Sequence, residues 1–190
     1  MTTIANYLGE LAQLFSEMEI EDASGQKMST DEGAKAALDL IGSTKRGHAK
    51  TMVVGNGGSA AIASHLQNDL CKAVKMQALV FTEQSLLTAL ANDDGYQTAY
   101  ETLIKLWAEP NDLLIAISSS GQSENILRSA RAAREANCRI ITMSGFASDN
   151  PLRRLGEINF YVPSRSYGHV ELVHAALGQY LTDALMMKAT

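Results

Sequence analysis

Five short apolar runs, at 51–54, 78–81, 113–117, 139–143 and 158–162, recur along the second part of the chain and are rich in β-branched residues. They are nearly continuous in their apolar character rather than alternating, which is what strands need when both faces of their sheet are covered. The first runs into Gly55-Asn56-Gly57-Gly58, the third into Ser118-Ser119-Ser120-Gly121, the fourth into Ser144-Gly145, and Pro163 stops the fifth. Helical patterns begin at Ser59, extend over about 123–136, and close the chain over about 168–188. Strands alternating with helices predict βα units around a parallel sheet.

Two helices are predicted ahead of this core. Residues 3–21 carry Ile4, Leu8, Leu11, Leu14, Phe15 and Met18 at helical spacing, and a polar break over 21–29 follows. Thr30 or Asp31 then opens a helix to about Lys45, with Ala34, Ala37, Leu38 and Ile41 on one stripe. The expected architecture is one α/β domain over 1–190. It is a three-layer α/β/α sandwich with a five-stranded parallel sheet at 50–190 and a helical pair at 1–46 that packs on the sheet or on another subunit.

A chain of 190 residues can bury a full core. Its net charge of −5 argues against a general nucleic-acid or anionic-membrane surface, which needs concentrated positive charge. No apolar run approaches the roughly 20 residues of a membrane span. The opening Met1-Thr2-Thr3-Ile4-Ala5-Asn6 lacks a secretory pattern, so a cytoplasmic protein is expected. Cys71 and Cys138 form no CxxC pair and read as small core residues.

In an open parallel sheet, ligands bind beyond the carboxyl ends of the strands. Two loops stand at that edge. The glycines of Gly55-Asn56-Gly57-Gly58-Ser59 permit positive φ and close backbone approach, and the helix after them offers N–H groups to an anion. The same loop also suits a tight turn with Ser59 as the N-cap. In Ser118-Ser119-Ser120-Gly121-Gln122-Ser123, four hydroxyls surround one glycine at a helix start. Capping consumes one hydroxyl, so the surplus points to a phosphate. No GxxxxGK[ST] pattern occurs, which disfavours a nucleotide-binding P-loop.

These loops, together with Ala60, Ala61, His65 and Asn92-Asp93-Asp94-Gly95, resemble the sugar isomerase (SIS) domain, and within it the phosphoheptose isomerases, over nearly the whole chain. The resemblance implies homotetramers with sites at subunit junctions. It implies a phosphate held by Ser118, Ser120 and Ser123 with Ser119 contributing, a pocket lined by Asn56, Gly57, Gly58 and Ser59, and Asp93 on the sugar hydroxyls. The family's metal and acid–base positions fall on His65, Asp69, Glu171, His174 and Gln179. Three of these depart from the family pattern. Asp69 stands for Glu, one methylene and so about 1.5 Å shorter. Gln179 stands for His and cannot trade protons near neutral pH. Glu171 stands for Gln, adding a carboxylate three residues from His174, on one helix face.

The expected activity is aldose–ketose isomerisation of a sugar phosphate, sedoheptulose 7-phosphate or one like it, through an enediol. Glu171 would be the base, assisted by His65, Asp69 and His174, with Gln179 as a substrate contact. Zinc is the metal the resemblance implies, with His65, Asp69 and Glu171 as candidate ligands. Arg165 and His169, just ahead of Glu171, could reach a phosphate or a neighbouring subunit. The rival expectation is a regulatory protein of the same fold that binds a phosphosugar or a replication initiator without catalysis.

Overall fold

The computed structural model describes residues 3–187, so Lys188, the expected end of the last helix, lies outside it. Helix α1 (Ile4–Glu17) is capped by Thr3, whose hydroxyl accepts from the Asn6 N–H. It ends four residues before the sequence pattern does. Met18 turns extended, and a hairpin of β1 (Glu19–Asp22) and β2 (Lys27–Met28) replaces the expected helix end and polar break. Asp22 Oδ1 closes the turn by accepting from the N–H groups of Ser24 and Gln26. Successive strand residues face opposite sides. Ile20 is therefore buried in the core, while Glu19 and Glu21 both reach Arg153, 132 residues or more away in sequence.

Helix α2 (Thr30–Arg46) begins in a reciprocal cap between Ser29 and Glu32, and its predicted stripe of Ala34, Ala37, Leu38 and Ile41 is buried. The five expected strands follow as β3 (Thr51–Val54), β4 (Ala78–Val80), β5 (Leu113–Ser118), β6 (Arg139–Ser144) and β7 (Ile158–Tyr161). Neighbouring pairs among these five are parallel, and the hairpin adds two antiparallel strands beside β7. The sheet order is β2-β1-β7-β6-β5-β3-β4. Helices α3 (Gly58–Lys72) and α7 (Tyr167–Met187) join α2 on one face of the sheet. On the other face lie α4 (Gln84–Leu90), a π turn (Ala91–Gly95), α5 (Tyr96–Trp107) and α6 (Glu124–Glu135).

Strand β5 shows why the strands read as continuous apolar runs. Leu113, Ile115 and Ile117 enter the core under α2, α3 and α7, while Leu114 and Ala116 enter the core under α5 and α6. Cys138 is buried as expected, but Cys71 is exposed on α3, beside the Ala78 carbonyl. Among the described residues no helix is long and apolar enough to cross a membrane.

Candidate functional site

The chain runs from β3 out to the edge strand β4 and returns to β5 on the other side of β3. Helix α3 leaves β3 on one face and α6 leaves β5 on the other. Such a reversal opens a crevice at the carboxyl ends of the two strands. Both loops singled out in the sequence end there.

Gly55 leaves β3 pressed against the first turn of α3, where a Cβ would lie 2.6 Å from the Ser59 carbonyl oxygen. Its own carbonyl accepts from the buried Tyr100 hydroxyl at 2.9 Å, and burial holds that phenol well above its ordinary pKa. Gly57 has φ +54°, a conformation open to glycine at little cost, and it precedes α3 with no side-chain cap. The helix begins at Gly58, so Ser59 is its second residue and not the cap the sequence allowed.

The serine loop is built similarly. Ser123 occupies the N-cap of α6, yet its hydroxyl makes no capping bond and instead accepts from Ser118 Oγ at 3.2 Å. Ser120 Oγ accepts from the Gln122 N–H. Ser119 Oγ is buried without any hydrogen-bond partner. Behind the loop, Gly121 at φ +63° lies against Asn150, whose Nδ2 donates to Ser144 Oγ, Gly145 O and Ala147 O. The loop is thus braced from the next strand while its front stays open.

Helix α7 brings Glu171 over this crevice. Its carboxylate rests on Gly58, where a Cβ would overlap it. A pocket of about 250 Å³ gathers Asn56, Gly57, Gly58, Ser59, Ser118, Ser119, Ser120, Ser123 and Glu171, with Tyr167 added. Sequence reasoning missed Tyr167, although it stands four residues before Glu171, one helical turn away on the same face.

The remaining expected residues lie elsewhere. His65, Asp69 and Gln179 line a separate groove of about 500 Å³ between α3 and α7. There His65 Nε2 lies 3.2 Å from Asp69 Oδ2, and Gln179 donates to Asp183. His174 is fully buried with Nε2 3.2 Å from the Ser144 carbonyl, and burial pushes its pKa down to about 4. Being neutral, it donates that Nε2–H to the carbonyl and carries no proton on its unpartnered Nδ1. It does not line the pocket. Asp93 is exposed in the π turn, accepting from Asn92. Arg165 is exposed, and His169 packs on Tyr7 at 4.6 Å with Glu10 3.8 Å away.

The candidate zinc set is divided accordingly, with His65 and Asp69 in the groove and Glu171 in the pocket. Among the described residues no three His, Cys, Asp or Glu side chains stand close enough to hold a metal ion. The set does not fit zinc within one chain.

Residues 7–145 match the SIS domain family. The chain is 31% identical to the phosphoheptose isomerase of Geotalea daltonii over 182 residues, 92% of each chain. It is 33% identical to that of Helicobacter hepaticus over 178 residues, 90% of each. Its fold superposes on the phosphoheptose isomerase GmhA of Neisseria gonorrhoeae with a TM-score of 0.83, at 24% identity and 96% coverage of both chains. The chain belongs to the SIS domain family, among relatives named phosphoheptose isomerase.

Proposed function

We propose that this protein interconverts the ketose and aldose forms of a sugar phosphate, with sedoheptulose 7-phosphate as the leading substrate. The observation that carries the reading is the pairing of Ser119 Oγ, buried and unpartnered, with the uncapped start of α6, in one pocket with a carboxylate. A phosphoryl group supplies acceptor oxygens to both kinds of donor, and the helix N-terminus favours its charge. That seats the phosphate on Ser118, Ser119, Ser120 and Ser123 and turns the sugar toward Glu171.

In the open-chain ketose, Glu171 takes the C1 proton next to the C2 carbonyl. The C2 oxygen gains a proton from solvent, giving an enediol. Glu171 returns its proton to C2 while the O1 hydroxyl releases its own to solvent, matching the one taken up and leaving the aldehyde at C1. Nothing is oxidised or reduced overall. Asn56 and Ser59 line the sugar side, and Tyr167 stands at the rim.

Incubating the protein with sedoheptulose 7-phosphate in deuterated water tests this directly. Deuterium should enter the substrate carbon, and Glu171→Gln should lower turnover about 10²- to 10⁴-fold while phosphate binding persists. Unchanged turnover in that variant would remove Glu171 as the base.

One observation favours the rival reading of a non-catalytic phosphosugar-binding protein, since no imidazole lines the pocket among the described residues. Tight sugar-phosphate binding with neither turnover nor deuterium uptake would select it. In either case we take the protein to be a cytoplasmic homo-oligomer, a tetramer by its family resemblance. Exposed apolar side chains at Ile4 and Leu8 of α1 and Leu172 and Tyr180 of α7 support the assembly.

A further inference from the structure

A pair of side-chain amides ties the glycine loop to the serine loop. Asn56 Nδ2 donates to Asn125 Oδ1 at 2.9 Å, and Asn125 Nδ2 donates back to Asn56 Oδ1 at 2.8 Å. Such a pair could be reversed as a unit, because an amide's oxygen and nitrogen are nearly the same size. One contact opposes the reversal. The backbone N–H of Ile126 can only donate, and it is shared between the Ser123 carbonyl at 3.0 Å and Asn125 Oδ1 at 3.1 Å, so reversal would set an amide NH2 against it. Asn125 is buried, so no water separates the two donors that reversal would bring face to face. The orientation of Asn125 then dictates that of Asn56.

Asn56 Oδ1 accepts a second bond, from the Tyr96 hydroxyl at 2.8 Å. Both of its lone pairs are thereby occupied, as is one of the two N–H groups on Nδ2. Asn56 lines the pocket, and the group left to it is a single N–H donor.

We propose that Asn125 and Tyr96 are positioning residues that hold Asn56 as a hydrogen-bond donor toward the carbonyl oxygen of the bound sugar. That oxygen gains negative charge when Glu171 removes the neighbouring proton, so a fixed donor there lowers the barrier. The role of the oxygen rests on the isomerase reading. The polarity of Asn56 does not, because it follows from Ile126 through Asn125, and the Tyr96 hydroxyl then donates to the oxygen so placed.

Tyr96→Phe removes one of the two donors to Asn56 Oδ1 at a half-exposed site, so the thermal midpoint should stay unchanged. Calorimetry with sedoheptulose 7-phosphate and with inorganic phosphate gives the ratio of the two affinities. The variant should lower that ratio about threefold to tenfold, the worth of one hydrogen bond. Inorganic phosphate binding should hold constant and kcat should fall at least as far. Asn125→Asp keeps acceptors for Ile126 and Asn56 but removes the donor to Asn56 Oδ1, and should act in the same direction. Should its buried carboxylate prevent folding, Tyr96→Phe decides alone. An unchanged ratio, or an equal loss of inorganic phosphate affinity, would overturn the assignment. Wild-type protein that binds the sugar phosphate without turning it over would sink the isomerase reading while leaving the ratio to judge Asn56.

Discussion

Ser119 Oγ occupies a position that a folded chain alone has no reason to keep. A buried hydroxyl without a partner costs about 1–3 kcal/mol. Ser119→Ala should therefore leave stability in urea unchanged or raise it, while phosphate affinity falls about tenfold, as calorimetry would show. A variant that loses both would mark Ser119 as a structural residue. His174 makes a different claim on solvent conditions. Its folded pKa, about 4, lies below the ordinary value of 6.5, so the unfolded chain binds the proton more readily. Its contribution is complete above pH 6.5 and declines as pH falls toward 4, by roughly 1.4 kcal/mol per unit. Urea unfolding at pH 7 and pH 5 should differ by about 2 kcal/mol, and His174→Gln should flatten that slope. The serine cluster was legible in the sequence because four hydroxyls exceed what a cap needs. His174 was not, because its spacing from Glu171 says nothing of which side α7 buries.

At the scale of elements, the hairpin of β1 and β2 depends on one distant side chain. Arg153 Nη2 lies 2.7 Å from Glu19 and 2.6 Å from Glu21, and its guanidinium stacks 4.3 Å from the Tyr161 ring centre. Arg153 is buried, so removing it takes the cation from Glu21 and leaves Glu19 with Lys27 alone. Arg153→Ala should lower unfolding stability by about 2–3 kcal/mol in urea titration. Hydrogen bonds from Arg153 first, and Lys27 second, hold the Glu19 carboxyl below its ordinary value of 4.5. Its contribution is present above that value and is lost as acid carries the pH down through the lowered one. The five parallel strands could be read from the sequence because burial on both faces demands continuous apolar runs. The hairpin could not, since the helical stripe through Leu14 and Met18 runs up to its first residue and its anchor lies far along the chain. The helices α4 and α5 after β4 were not anticipated, and Asp93 between them was named only through the family resemblance.

For the whole molecule, the order of strands matters more than their number. Placing β3 beside β5 brings two uncapped helix starts to one crevice, and α7 then closes over it with Glu171. The groove with His65, Asp69 and Gln179 runs along the same pair of helices, α3 and α7, beside exposed Leu172. If subunits meet there, light scattering behind size exclusion should give a mass near four chains, and Leu172→Glu should reduce it. A monomeric mass in the wild type would overturn the assembly.

The sequence alone determined the βα framework and the composition of its two binding loops, because strand burial and turn geometry leave their mark on neighbouring residues. Only the tertiary structure could sort the polar residues of α3 and α7. Each step along a helix turns a side chain by about 100°, and packing against β6 and α3 decides where that rotation comes to rest. It left Glu171 against Gly58, His174 under the Ser144 carbonyl, and His65 facing solvent.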